Sequence, residues 1–598
     1  MRPGEAKETM KDSRREFFKK AAITGAGVAA GSLVPQAASA APARVKWDRE
    51  VDVVVVGAGA MGLPAALRAQ QAGASVLLLE ATRDVGGHAI VSAGNVALGG
   101  GTSVQKKFGI ADSPDLLFRD LVDWSVIEPN GFPEYRYNDR EIIRAFADNA
   151  PATFEWLLAQ GVTFVDKGPD NVGGTSIGNS VLREMHCAPL NFVRPEAGVP
   201  FAGPLQKTRS HGVGLMRPLE AAARKASIPI LLHHHMDSLI RENQTSGRVL
   251  GVVANNKGKM LNFRARKAVI LATGGSTGNV NFRRIFDPRL TEEYCGVAGE
   301  PHSFQDASGE LAAMAVGASL WGAYNQIGEF GINITKPGSV GCRYGYRALK
   351  WLPGSAYFEE AGASGLTVAD WQNAILVNQA GLRFYDETAE GFSSNRSGAV
   401  QPYEQGAYRN LLNVKMDARS TAFLDAAMAG TGEPVNGGGP IWAIFDADAV
   451  KRENWNPKPP DVDGVNGFFF EGNTLAELAG KVTMKYQAKP LPAAALEDTV
   501  ARYNSFVDAG RDADFDKPKP KYKIQTAPFY AAWATPVIHD TRAGVRINGK
   551  CQVVDLHGKV IPGLYAGGEC AGGFSEHGLA RCTCQGYIAG KEAAGEKA

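Results

Sequence analysis

The chain has 598 residues, with 64 Lys+Arg against 62 Asp+Glu, a hydrophobic fraction of 44% and 70 glycines. That length holds two or three domain-sized units of ordinary globular composition, and a formal charge of +2 offers no electrostatic footprint for nucleic acid. Seven cysteines with no CxxC pair and no CxxCH signature exclude a disulfide scaffold and a built-in haem.

The first forty residues read as a targeting segment. Ser13-Arg14-Arg15-Glu16-Phe17-Phe18-Lys19 is a twin-arginine pattern, followed by a modest apolar run from Ala21 to Val34 and an AxA cleavage site at Ala38-Ser39-Ala40. The run is too short and too rich in glycine and alanine to cross a bilayer. The expectation is a chain exported by the twin-arginine pathway, periplasmic or otherwise outside the cytoplasm. The mature protein is then close to neutral and carries no transmembrane segment.

Val51 to Glu80, VDVVVVGAGAMGLPAALRAQQAGASVLLLE, organises the rest of the chain. A β-branched run predicts a buried parallel strand. Gly57, Gly59 and Gly62 then stand at GxGxxG spacing, an alanine-rich helix comes next, and a second apolar strand ends in Glu80. The glycines allow a tight turn, close approach of a pyrophosphate and helix-on-strand packing, and the acid accepts hydrogen bonds from a ribose. An acid there favours a free 2′-hydroxyl, hence FAD or NAD over NADP.

Glycine-rich stretches recur downstream. Gly86-Gly87-His88, then Ser92-Ala93-Gly94-Asn95, let backbone lie against a flat or anionic ligand. Residues from about Ser113 to Gly161 look helical, opening at a Ser cap and closing at a Gly. A helix and three strands are expected from Arg217 to Thr273. His233, His234 and His235 fall inside one of them, IPILLHHHM, where alternating side chains cannot converge on a metal; no metal site is expected. Ala272-Thr273-Gly274-Gly275 closes the last strand, and Asp306 lies in a turn entering a helix. Between about Tyr324 and Pro520 the α/β alternation gives way to glycine, proline, aromatics and short strands, which marks a second domain.

Taken together, GAGAMG with Glu80, the GGH segment, ATGG at 272–275, the Asp306 turn, NQAGLRFYDE at 378–387 and PGLYAGGE at 562–569 resemble the flavoprotein superfamily of fumarate reductases, succinate dehydrogenases and 3-ketosteroid dehydrogenases. The resemblance implies an α/β fold: a Rossmann-like FAD-binding domain (48–323 and 525–598) with an inserted α+β capping, substrate-facing domain (324–524). It implies FAD as cofactor, its ribose at Glu80 and its ribityl chain at Glu569. The expected cofactor contacts are Gly57, Gly59, Ala60, Gly62, Glu80, Ala81, Gly86, Gly87, His88, Ser92, Gly94, Met236, Ala272, Thr273, Gly274, Asp306, Gly568, Glu569, Cys582 and Thr583. His88 holds the place where succinate dehydrogenases carry the histidine bonded to flavin and fumarate reductases carry Asn; a non-covalent histidine near the ring is the other reading.

Hydride transfer across a C–C or C=C bond of a small carbonyl- or carboxyl-activated molecule is what such an arrangement implies, with a protein group handling the proton. The alternatives are a ketosteroid dehydrogenase-like enzyme, a flavin oxidase that uses O₂, and a flavin electron carrier without a substrate. Electrons are expected to pass through an external cytochrome or quinone-linked carrier. The candidate catalytic groups are Arg581, His577, His539, Tyr385 and Arg396. Arg581 is the expected electrophile or anion anchor because it closely follows the flavin-binding turn. The chain departs from fumarate reductases at Thr388-Ala389-Glu390-Gly391, where their proton-donating arginine would fall, and at His539-Asp540-Thr541, where they carry His-His-Thr.

Overall fold

Strand β1 (Arg49–Val56) is built mainly of valine, and Val53, Val54 and Val55 are fully buried, so both of its faces must be covered. The computed structural model describes residues 45–122, 138–170, 180–190, 212–286, 290–296, 300–321, 338–345, 351–384, 386–388, 439–487, 489–538, 541, 543–574 and 578–598. The twin-arginine segment lies outside them. After β1 come α1 (Gly62–Gln71) and β2 (Val76–Leu79), which pairs parallel with β1 over Val53–Val56. A helix over 114–122 starts at Ser113, whose Oγ accepts from the Leu116 amide. Helix α2 (Arg140–Ala159) is capped by Asp139, which accepts from the amides of Glu141 and Ile142; such a cap is worth about 1 kcal/mol.

The next strands are β3 (Ile230–Leu231), β4 (His235–Asn243), β5 (Ser246–Asn256) and β6 (Lys259–Leu271), followed by α3 (Ser308–Ala315). Here the structure departs from the single strand read over IPILLHHHM. The chain leaves β3 at Leu231 and turns at His233, whose φ is +60°. The amides of His233 and His234 bond to Thr82 O and Glu80 O, so they hold the end of β2 instead of extending a ladder. Two of the imidazoles take separate partners: His234 Nε2 meets Asn256 Nδ2 at 3.0 Å and His235 turns to Asp306.

The second lobe carries β7 (Ile375–Val377), β8 (Trp442–Asp446), β9 (Phe469–Gly472), α4 (Ala493–Ala509) and β10 (Phe529–Trp533). Its four strands form an antiparallel sheet in the order β7-β8-β10-β9. One face packs Phe445, Phe469 and Tyr530, and the other packs Trp442 and Trp533 against α4. Because β10 pairs into this sheet, the lobe runs past residue 524. Trp351 and Tyr357, by contrast, pack into the core of the first lobe. The chain then returns through β11 (Gln552–Val554), β12 (Val560–Ala566) and the last helix α5 (Leu579–Gly595), which lies along α1. The eight-stranded sheet runs β11-β12-β6-β1-β2-β3, with β4 and β5 added antiparallel beside β6. Among the described residues no helix is long and apolar enough to cross a membrane.

Candidate active site

From β1 the sheet continues one way to β2 and β3 and the other way to β6 and β12. The carboxyl ends of β1 and β6 therefore flank a crevice of the kind that binds dinucleotides in doubly wound sheets. The turns after these strands touch. At Gly57, with φ +100°, a Cβ would lie 2.2 Å from Ala272 O, so no larger residue fits. Gly59 differs: a Cβ there would meet only Gly86 O, at 3.8 Å. Its α-carbon faces open space between the 57–62 turn and the 86–87 turn, ahead of the α1 N-terminus. That space, ahead of a helix N-terminus, is what a diphosphate needs.

Residual exposure shows which side of these loops faces the crevice. Gly57, Gly59, Ala81, Gly87, His88, Thr273, Gly274, Asp306, Glu569 and Cys582 are part-exposed among buried neighbours. Ala60, Gly62, Gly86, Gly94, Met236, Ala272, Gly568 and Thr583 are buried and shape the walls. Thr583 donates its hydroxyl to Leu579 O within α5, and Ser92 donates its own to Ala89 O.

Glu80 is 6% exposed and already well used. Its Oε2 accepts from the Ala58 amide at 2.8 Å, and its Oε1 accepts from the amide and hydroxyl of Thr82 at 2.9 and 2.8 Å. Burial raises its pKa and these donors oppose the rise. Glu569, 481 residues from His88, has Oε1 3.3 Å from His88 Nδ1. Its Oε2 accepts from Gln305 Nε2 at 2.8 Å, and Gln305 Oε1 accepts from the Gly275 amide at 2.8 Å. Gln305 thus ties the turn after β6 to the turn after β12. It carried no signal in the sequence, since its role depends on a backbone φ of +49° and on partners far along the chain.

Arg581, the expected electrophile, is held by the loop before α5. The side chain is 1% exposed. Its Nη1 donates to Phe574 O at 2.9 Å, and its Nη2 donates to Gly568 O at 2.7 Å and to Ala571 O. A guanidinium held in this way pins the loop that carries Glu569. Its position directly after the flavin-binding turn is what suggests contact with ligand. The other candidates, His539, His577, Tyr385 and Arg396, lie outside the described residues. Some of their flanks are visible. The Ile538 amide bonds to Cys295 O, and Thr541 Oγ1 accepts from Ser276. Beside Gly296 stands Glu300, whose pKa burial pushes up to about 7 against the opposing charges of Arg283 and Arg343. A carboxyl of this kind can hold or release a proton near neutrality.

A direct test of the crevice is Gly59→Val. The apoprotein is expected to melt as the parent does, since no protein atom comes closer than 3.8 Å to the added Cβ. Its affinity for a dinucleotide should fall at least about 100-fold, because the branched side chain fills the space open to a diphosphate. Flavin fluorescence titration alongside thermal melting of the apoprotein separates the two effects.

Comparison with known proteins agrees with the crevice. The family model described as "FAD binding domain" matches residues 52–582. A fumarate reductase (cytochrome) of Shewanella frigidimarina is 27% identical over 555 residues, covering 91% of this chain and 77% of that protein. An acrylate reductase flavoprotein subunit of Shewanella woodyi is 27% identical over 585 residues, covering 95% of this chain and 94% of that one. Among solved structures, 3-ketosteroid delta1-dehydrogenase from Sterolibacterium denitrificans aligns with a TM-score of 0.59 at 21% identity, covering 92% of this chain and all of that chain.

Proposed function

The chain belongs to the FAD binding domain family, and from that premise we propose that it reduces the activated C=C bond of a small unsaturated monocarboxylic acid. It is an FAD-dependent oxidoreductase acting on carbon–carbon bonds, similar to reductases of fumarate, urocanate and acrylate. The observation that carries the substrate reading is in the sequence: Thr388-Ala389-Glu390-Gly391 places no arginine where fumarate reductases have one. Arg581 commits Nη1 and Nη2 to three backbone carbonyls. The acrylate reductase subunit, matched over nearly its whole length, is named for a substrate with a single carboxylate.

Bound FAD supplies the hydride carrier, giving or taking two electrons and one hydrogen at the substrate carbon. The protein's own groups do the rest. The crevice residues hold the cofactor, with Gln305 and Arg581 fixing the loop that presents Glu569. His577 and His539 are the proposed proton-handling groups, suited to neutral pH by the ordinary imidazole range. Tyr385 and Arg396 are proposed to meet the activating carboxylate, where positive charge and hydrogen bonds stabilise the enolate-like charge that builds during transfer. The second lobe is proposed to cap the reacting bond and exclude water. The twin-arginine pattern supports an exported protein, and the lack of a haem signature supports electron delivery by an external cytochrome or quinone-linked carrier.

The test is anaerobic mixing of dye-reduced enzyme with acrylate, fumarate and a cyclic enone, following the return of flavin absorbance. Fastest reoxidation by the monocarboxylate is the expected result. A preference for fumarate or for the enone overturns the substrate reading. Rapid peroxide formation with O₂ during turnover points to an oxidase instead.

A further inference from the structure

The third histidine of the run is part-exposed and paired with Asp306. His235 opens β4 just after the turn whose amides bond to Thr82 O at 3.0 Å and Glu80 O at 2.8 Å. Its imidazole is thereby set beside the acid that closes β2. Across from it, Asp306 belongs to the turn entering α3. That turn is tied to the other wall, through the Ala307 amide to Gly275 O and Asn279 Nδ2 to Asp306 O. His235 Nε2 and Asp306 Oδ2 meet at 2.6 Å, with side chains 39% and 36% exposed. The pair spans the two walls at the end of the crevice where Glu80 stands.

A count of acceptors at Glu80 points to what the pair does. A carboxylate offers about four lone-pair sites, and Ala58 and Thr82 already use three of them. One site is left, while a ribose brings two hydroxyls, so a second polar group must take part. We propose that the His235–Asp306 pair is that group and recognises the AMP half of FAD. Asp306 holds the ring by accepting from Nε2–H, while its Oδ1 accepts from the Ser308 amide. Asp306 thereby orients Nδ1, which is offered to an oxygen of the ribose or its phosphate. Asp306 is the positioning residue and His235 the contact. The proposal needs FAD as cofactor and nothing about the substrate.

Its pH signature follows from the charges around the ring. The bond to Asp306 raises the His235 pKa; burial opposes, and Asp306, Asp237 and Glu80 add to the rise. Asp306 is correspondingly lowered: burial would raise it, and the His235 bond outweighs that. The imidazolium is therefore present below the raised pKa and lost as pH climbs through it, so FAD affinity should weaken in that direction.

The experiment titrates apoprotein with FAD and with FMN, which lacks the AMP half, by fluorescence quenching. His235→Ala is expected to weaken FAD binding at least about 10-fold, the scale of a charge-assisted hydrogen bond, and to leave FMN binding unchanged. His235→Gln should recover part of the loss, and Asp306→Asn should behave as His235→Ala. Wild-type affinity for FAD should fall as pH climbs through the raised His235 pKa, and His235→Ala should be flat. Unchanged FAD affinity in the variants, a parallel loss of FAD and FMN, or a wild-type affinity indifferent to pH each overturns the proposal.

Discussion

Arg581→Ala is expected to release FAD and to lower folding stability by about 4 kcal/mol, with no specific effect on substrate affinity in whatever holoenzyme remains. The side chain donates to the carbonyls of Gly568, Ala571 and Phe574, all buried. Deleting it strands the Ala571 and Phe574 carbonyls, at about 1–3 kcal/mol for each buried group left unsatisfied, and opens a cavity at the start of α5. Gly568 O keeps the Ala571 amide. The same loop carries Glu569, so a loosened loop also loses the carboxylate held between His88 and Gln305. Arg581→Lys should recover little, because a single ammonium does not reproduce a planar fork reaching carbonyls on different sides. Denaturant titration and flavin retention after gel filtration measure the effect. A variant that kept its flavin and stability but lost affinity for the acid would show that Arg581 meets substrate after all.

Glu387→Gln is expected to destabilise the second lobe by about 3–5 kcal/mol while the first lobe keeps FAD. Glu387 is fully buried and accepts from Arg383 Nε and Nη2, both at 2.9 Å, and from Lys517 Nζ at 3.1 Å. It also accepts from the Leu376 amide, which fixes the NQAGLRFYDE stretch to β7. Asp512 shares Arg383, and without the Glu387 charge Lys517 loses the carboxylate it pairs with. Removing one partner of a buried ionic cluster leaves charge without compensation, which sets the magnitude. Burial alone would raise the Glu387 carboxyl, but Arg383 and Lys517 outweigh it and hold the pKa at about 2, below the usual 4.5. The carboxylate's contribution is therefore intact above about pH 4.5 and is lost as pH falls toward 2. Limited proteolysis should cut the variant first within the second lobe at neutral pH, where the parent resists. Turnover should fall with cap integrity while flavin absorbance per polypeptide stays constant.

These two expectations show where sequence and structure divide. What the sequence by itself determined is local: the β-branched run of β1, the spacing of Gly57, Gly59 and Gly62, and the acid at Glu80. A dinucleotide turn is built by contiguous residues, and its glycines are required by contacts within one strand-turn-helix unit, so their spacing is readable in order. The change of composition after about residue 324 suggested a second domain; the sheet β7-β8-β10-β9 starts only at Ile375, and Trp351 and Tyr357 pack into the core of the first lobe. Only the tertiary structure decided which partner each polar side chain takes. Gln305 reaches Glu569 across 264 residues, His235 reaches Asp306 across 71, and Arg581 turns back 13 residues to Gly568. Arg581 follows the flavin turn in sequence, and its hydrogen bonds to the carbonyls of that loop appear only in the fold. The histidine run looked like one strand until the ends of β2 and β4 competed for its amides. Hydrogen-bond partners are settled by which backbone groups the packed sheets leave unpaired, and that information is spread over the whole chain, not held in any one stretch of it.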